Sequence, residues 1–587
     1  MPRPFGRATR DFTPTEAERK LADHCRRGVD CVFDHKVPST ATADNTISAA
    51  FLRFLALGGD AQTPVHEKGV VMCGAFVAGA LDLESARLPG DLWCVGCRLE
   101  EDIVLRAAAG RSIGFPASHL KGVTADRLTL VGNFSLQDAE IHGEMCLIGA
   151  TIGGQLNLVE ARLSNEGGAA LSCDGAEIGG TIRLEKAQIA GETRLIGATI
   201  GGDLDLVEAR LSNEGGDALS CDGAEIGGTI RLDNAQIDGA TSLAGAKIGG
   251  QLILIEARLS NKGGAALSCD RAEIGEAIRL DNAQIDGATR LIGAKIGGQL
   301  VCEGATFRNA ATDALNGQGA RIGDILVFRN VTVSGELSFQ QAMVETLVDD
   351  ATSWPAGAID LDGFRYARIS NAAPLDARTR IAWLNKQISD NLGARFCVQP
   401  WNHLARILRE QGHEDEAAQV DMAREDALRK AGRAPYWAPL HRFFGFAAGY
   451  GYRPRRLLVA AFFVWLFCGV IYAKAARNGL FAPTNALVYQ NPDLAACRPQ
   501  NGGNWTTCAT PKAPEEYASF SPWAYSLDVL LPFVTLGQAN DWAPLTPGAD
   551  WNWGYVVRCL VWFEELFGWV AGLTLAGVLA NLVRRRD

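Results

Sequence analysis

Apolar residues recur along the middle of the chain in steps of two, broken by glycines, and not in the 3.6-residue step of a helix. The segment "IGGQLNLVEARLSNEGGAALSCDGAEIGGTIRL" begins at Ile152 and returns at Ile200 and Ile248; a decaying fourth copy starts at Ile296. The period is 48 residues, made of three eleven-residue units such as "IGGTIRLEKAQ" and one fifteen-residue unit, "LSNEGGAALSCDGAE". Apolar positions two apart suit a short strand and the glycines suit corners. A glycine every few residues would cost a helix about 1 kcal/mol apiece. The unit, I-x-G-x-x-x-L-x-x-A-x, therefore predicts stacked strand-and-corner coils, a β-solenoid. Two units make one coil of about 22 residues, and the four extra residues near "SNEGG" bulge as a loop on every second coil. That register stacks Asn157, Arg183, Asp205 and Arg231 in one column, and Glu160, Lys186, Glu208, Asn234 and Glu256 in another. Like charges are kept apart on adjacent strands.

The repeats resemble the pentapeptide-repeat family and related right-handed β-helices, which implies small apolar residues inside and tight corners outside. Weaker units reach back to about Val70 and forward to about Val348. Over roughly 280 residues this gives on the order of a dozen coils and a rod about 60 Å long.

A different pattern follows. From Asp376 "DARTRIAWLNKQI" opens a helix, and "QPWNHLARILREQGHEDEAAQVDMAREDALRKAG" reads as a helical hairpin. Pro400 lies in its first turn, Gly412 at its break, and Leu404, Ile407, Leu408, Ala417, Val420 and Ala427 form the facing stripes. The hairpin resembles one tetratricopeptide unit. A single copy makes no peptide groove, so it is expected to pack against the rod or the membrane.

Near the end, Leu457–Ala473 and Leu566–Val583 are long runs without a charge, suited to crossing a bilayer. "RPRR" (Arg453–Arg456) precedes the first and "RRR" (Arg584–Arg586) follows the second, which predicts both ends on the cytoplasmic side. Trp551, Trp553, Tyr555 and Trp562 make an aromatic belt at the outer surface. Between the runs, Cys497 and Cys508 in "CRPQNGGNWTTC" face an oxidising compartment and are the pair expected to form a disulfide. "SPWAYSLDVLLPFVTLGQANDWAP" then offers Ser521 as a helix cap, Pro522 in the first turn, a helix over Trp523–Leu531, and irregular chain from Pro532. This layout resembles the pore loop of two-helix cation channels. The resemblance implies that Thr535 and Gly537 line an ion path and that Glu564 and Glu565 form an acidic ring around a symmetric axis. Gln538 and Ala539 depart from that family's aromatic and second glycine, which argues against potassium selectivity. The alternative is an amphipathic helix lying on the outer leaflet.

The predicted organisation is an N-terminal helical cap (1–68), the cytoplasmic right-handed β-helix (69–348), a connector (349–375), a helical neck (376–452) and a membrane domain (453–587). In that domain the first span covers 457–473, an outer segment 474–555 and the second span about 560–583. No apolar leader opens the sequence, so everything before Arg453 is expected to stay in the cytoplasm.

Composition narrows the function. A net charge of −11 argues against a nucleic-acid partner. Fifteen cysteines in 587 residues are too dilute for a disulfide framework. Cys94 and Cys97 form a C-x-x-C in "LPGDLWCVGCR", but they fall at the Leu and Ala positions of the repeat unit and so point inward. Cys173, Cys221, Cys269 and Cys302 share that Leu position. Cysteine there behaves as a small hydrophobe, leaving Cys94 and Cys97 weak redox candidates. His24, Cys25, Cys31 and His35 match no common zinc spacing and belong to the N-terminal cap; no metal or cofactor is expected.

The sequence of β-repeats, "LDGFRYARI", "RIAWL", "QPWNHLARILREQGHEDEA" and membrane runs resembles a bacterial family labelled membrane-associated oxidoreductases. That label implies redox activity, yet no residue here supports it, and the chain is expected not to be an enzyme. The expected function is an inner-membrane protein whose β-helix serves as a binding or assembly scaffold for a cytoplasmic protein. An oligomeric ion-channel-like protein with a β-helix sensor is the alternative.

Overall fold

The computed structural model describes residues 8–432, 454–508, 518–546 and 552–584. It contains two compact units, Met1–Val420 and Asp421–Asp587. Arg453, Trp551, Arg585 and Arg586 of the flanking and belt residues lie outside the described residues, as does the neck beyond Gly432.

The first unit is a parallel β-solenoid of about 14 turns and about 22 residues per turn. One interior column shows why the chain winds this way. Ile113, Phe134, Leu156, Ile182, Leu204, Ile230 and Leu252 stack coil on coil in parallel register, all buried. Partners lie 22 residues apart (Ile182 and Leu204) or 26 apart (Leu156 and Ile182), and the two spacings alternate to make the 48-residue period. The extra residues break the pairing of strand Arg162–Ser172 with Gln188–Arg194 between Ser164 and Ala169. Each tip is closed by its own asparagine: Asn165 Nδ2 donates to the Ala169 carbonyl at 2.7 Å, and Asn213 and Asn261 repeat the bond to Asp217 and Ala265.

Asn157, Arg183, Asp205 and Arg231 stack in register as expected. The second charged column does not lie on strands. Glu160, Lys186, Glu208, Asn234 and Glu256 all have φ near +58° and form a corner. Each backbone N–H there donates to the next coil, Glu160 to the Glu185 carbonyl for example.

The coil reaches beyond 69–348 at both ends. Cys31–Val32 pairs with Met72–Cys73 and Thr46–Ser48 with Phe76–Ala78, so the first coil is built partly from the cap. Helix Glu16–Arg27 closes this end through Glu18, whose carboxylate accepts from the backbone N–H groups of Thr15 and Ser48 and from the Ser48 hydroxyl.

The last coil uses Ile359–Asp360 and Arg365–Ile369, a stretch assigned from sequence to the connector. Its interior positions hold Phe364 and Tyr366 instead of Ala and Ile, which hides the unit. The end is then sealed twice. Helix Ala377–Leu384 brings Arg380 onto Asp349 in a two-bond pair (2.8 and 2.7 Å) that is 2 % exposed on both sides, with Trp354 Nε1 donating to the same carboxylate. Helix Gln399–Glu410 lays Gln399 and His403, with Gln411 just beyond, along the open edge of the final strand. The helical hairpin turns at Gly412 as its sequence predicts (φ +86°), and Glu414–Lys430 follows.

The second unit holds two helices long and apolar enough to cross a membrane, Pro454–Arg477 and Trp553–Arg584. Tyr472 meets Glu564 near one end and Leu457 packs with Ala571 near the other, so they run antiparallel. The connecting segment folds over the Tyr472 end. Phe481–Pro483 and Trp542–Pro544 form a two-stranded antiparallel sheet, and Cys497 and Cys508 are joined as a disulfide with Cα atoms 5.3 Å apart.

Candidate functional site

The residues singled out between the two long helices form one compact arrangement. Ser521 caps helix Pro522–Leu530, its Oγ accepting from Ala524 N–H, and Leu531 departs from helical geometry just before Pro532. This helix does not lie away from the bundle. A Cβ on Gly469 would stand 2.5 Å from the Trp523 ring, and one on Gly568 would stand 2.1 Å from the Leu530 carbonyl oxygen. Both long helices are notched where the short one packs. Phe533 then lies against Trp569 (5.4 Å between centroids) and over Gly572, about 28 Å along the helix from Trp553.

From that tip the chain returns to where it started. Gln538 is buried and spans the two limbs: its Oε1 accepts from Ser521 N–H at 2.9 Å and its Nε2 donates to the Ser519 carbonyl at 3.0 Å. Trp542 Nε1 donates to the Ala518 carbonyl. Gln538 thus ties the loop's limbs together. Asp528 organises the return, accepting from Leu536 N–H at 2.5 Å with one oxygen and from Ala539 N–H at 2.7 Å with the other. Gly537 takes φ +81° between these two anchors. Thr535 is exposed, as are Phe533, Val534 and Leu536, so the loop tip presents irregular backbone among apolar side chains.

Glu564 and Glu565 do not form a common acidic surface. Glu565 is exposed, whereas Glu564 is fully buried inside the protomer. Successive helical residues point about 100° apart, so one carboxylate at the helix–helix seam sends its neighbour outward. Glu564 Oε2 accepts from the Tyr472 hydroxyl at 2.8 Å and Oε1 from the Ser526 hydroxyl at 2.5 Å. Ser526 also lies 3.0 Å from the Trp465 carbonyl, and the free thiol of Cys468 is fully buried beside the carboxyl. Glu564 thus joins three elements of one chain, while Glu565 alone of the pair is exposed. Sequence reasoning missed Tyr472, Ser526 and Asp528, whose partners lie 92, 38 and 8 residues away.

In the solenoid, Cys94 and Cys97 are buried in the interior stack; Cys94 pairs in register beside Met72. A hydrogen bond with Cys97 and burial push the Cys94 thiol well up, away from the thiolate a redox site needs. Cys25 and Cys31 are buried, with burial raising them to about 12 and about 11, while His24 is half-buried and His35 exposed. Among the described residues no three His, Cys, Asp or Glu side chains gather as a metal site. An open trough follows one corner of the coil, walled by Glu225, Lys247, Glu273 and Lys295 and ending at Arg365 and the capping helix. Lys247 and Lys295 pair with Glu225 and Glu273 at 2.6 Å, so much of its charge is internally spent.

The chain matches no family model and no curated protein.

Proposed function

We propose that this chain is an integral membrane protein of the bacterial inner membrane whose second unit forms, as a homo-oligomer, a small cation-conducting path. The carrying observation is the loop between the long helices. It enters and leaves at the Tyr472 end, and its tip reaches Gly572. Irregular backbone at membrane depth must be buried in protein or line water. Here the tip is exposed on the protomer, so further copies of the chain cover it and enclose the path. Thr535 and Gly537 lie at the turn where backbone carbonyls can replace an ion's water. Both termini and the solenoid lie in the cytoplasm, and the disulfide-bearing segment lies outside. The solenoid winds right-handed, as crossovers between parallel strands of L-residues do. It is a binding module that reports to the membrane unit.

The test begins with particle mass. In detergent, a mass near one 62.7 kDa chain removes the pore reading, because two helices and one loop enclose no ion path. A closed ring of copies calls for bilayer recording, where cation current that Thr535→Val alters is the expected result. A scaffold without conduction is the second reading, favoured by the trough along the solenoid corner. A ring that never conducts would leave that reading standing.

A further inference from the structure

We propose that Glu564 is a positioning residue, a buried latch that fixes the re-entrant helix, and with it the loop, against both long helices. The proposal rests on the re-entrant reading above. Its observation is separate: one carboxyl, fully buried, takes a hydroxyl from the first long helix (Tyr472) and one from the short helix (Ser526), while itself belonging to the second.

A buried carboxyl is costly unless its oxygens are satisfied, and polar groups inside membrane helices are kept where they do a job. Packing alone would fill this seam with Leu or Val, as the neighbouring Val561 and Leu560 do. The carboxyl instead gives the short helix one defined seat. Shape complementarity at Gly469 and Gly568 sets how closely that helix approaches, and the Glu564–Ser526 bond sets its rotation and its level along the bundle. Two residues beyond Ser526, Asp528 holds Leu536 and Ala539 by their amides. The seat is thereby transmitted to the backbone around Thr535 and Gly537. Releasing Glu564 frees the short helix to turn, and the loop follows it.

The chain carries its own reporter. Cys468 is free, fully buried and beside Glu564, so its thiol reacts only when the seam opens. The full-length protein in detergent is treated with N-ethylmaleimide, and the labelling rate of the Cys468 peptide is read by mass spectrometry. Glu564→Gln keeps one acceptor oxygen and replaces the other with an NH2 group that can donate to a hydroxyl oxygen, so both contacts can persist and it should label close to the wild-type rate. Glu564→Leu and Ser526→Ala should label about tenfold faster, the population change expected for losing a hydrogen bond to a carboxylate. Tyr472→Phe, which removes the other hydroxyl, should also label faster than the wild type and carries the test if Glu564→Leu does not fold. Combining Ser526→Ala with Glu564→Leu should add nothing further, since both open the same bond. Wild-type rates in Ser526→Ala and Tyr472→Phe overturn the latch, as does a Glu564→Gln rate equal to that of Glu564→Leu. A silent wild-type protein in bilayers, with this labelling pattern intact, would retire the pore and leave the latch.

Discussion

Gly249 shows how a single position governs the coil. A Cβ there would stand 2.3 Å from the carbonyl oxygen of Gly227, the equivalent glycine one coil earlier, and Gly227 and Gly275 stand in the same relation to their predecessors. The column is glycine because each corner backs directly onto the last. Gly245, four residues earlier, is different: it has φ +66° but open space around it, and its stacked counterpart Arg271 adopts φ +57° with a full side chain. Gly249→Ala should therefore cost about 1–3 kcal/mol, the range for forcing atoms into a packed interior. Gly245→Asn should cost less than about 1 kcal/mol, because Asn tolerates the left-handed region. Urea midpoints of the two variants check this. Equal losses would show that backbone strain, not the carbonyl ladder, dictates these glycines.

At the scale of elements, the solenoid needs its open edge closed, since an unpaired strand edge invites other chains. Here a helix does the work of a strand. Gln399 accepts from Gly363 N–H and donates to the Phe364 carbonyl, and Gln411 does both at Ile369. His403 Nε2 lies 3.0 Å from both the N–H and the carbonyl of Tyr366, and Nδ1 lies 3.1 Å from Arg406; arginine can only donate, so Nδ1 accepts, which the doubly protonated ring cannot do. Burial, then the Arg406 charge, holds its pKa below the ordinary 6.5. The folded state thus binds the proton less readily than the unfolded chain. The cap's contribution is complete above about pH 6.5 and is lost as pH falls through the lowered folded value. Amide exchange of Arg365–Ile369, corrected for its intrinsic pH dependence, should rise in acid relative to the interior strands. His403→Gln, which cannot titrate, should abolish that rise, and an unchanged rise would place the titrating group elsewhere. The coil itself was legible in sequence because every unit repeats its inward Ile, Leu and Ala at fixed spacing. The last coil was not, because Phe364 and Tyr366 replace those residues. The caps and the Glu564 seam were hidden for a different reason. Asp349 and Arg380, or Tyr472 and Glu564, acquire meaning only when chain segments 31 or 92 residues apart meet.

For the molecule as a whole, a stack in which each coil touches only its neighbours should behave as a nearly one-dimensional array. Thr199–Ile200 and Lys247–Ile248 occupy equivalent places: the first is paired to Glu177–Ile178 and Glu225–Ile226, the second to Glu225–Ile226 and Glu273–Ile274. Removing residues 200–247 joins Thr199 to Ile248 and deletes one 22-residue and one 26-residue coil without changing any column's register. The shortened protein should fold with both caps intact, its solenoid about 10 Å shorter. It should melt in one transition close to that of the parent, because the lost coils contributed mainly to themselves and their neighbours. Removing only residues 200–223 is the control, since 24 residues match neither the 22- nor the 26-residue coil and displace every later column by two residues, setting strand positions against corners. Circular dichroism and thermal melting of both deletions decide the matter. If the 48-residue deletion unfolds as readily as the half-period one, the coils are not interchangeable and the solenoid depends on contacts beyond nearest neighbours. If it folds with a single transition near that of the parent, the solenoid's length is adjustable by whole 48-residue periods.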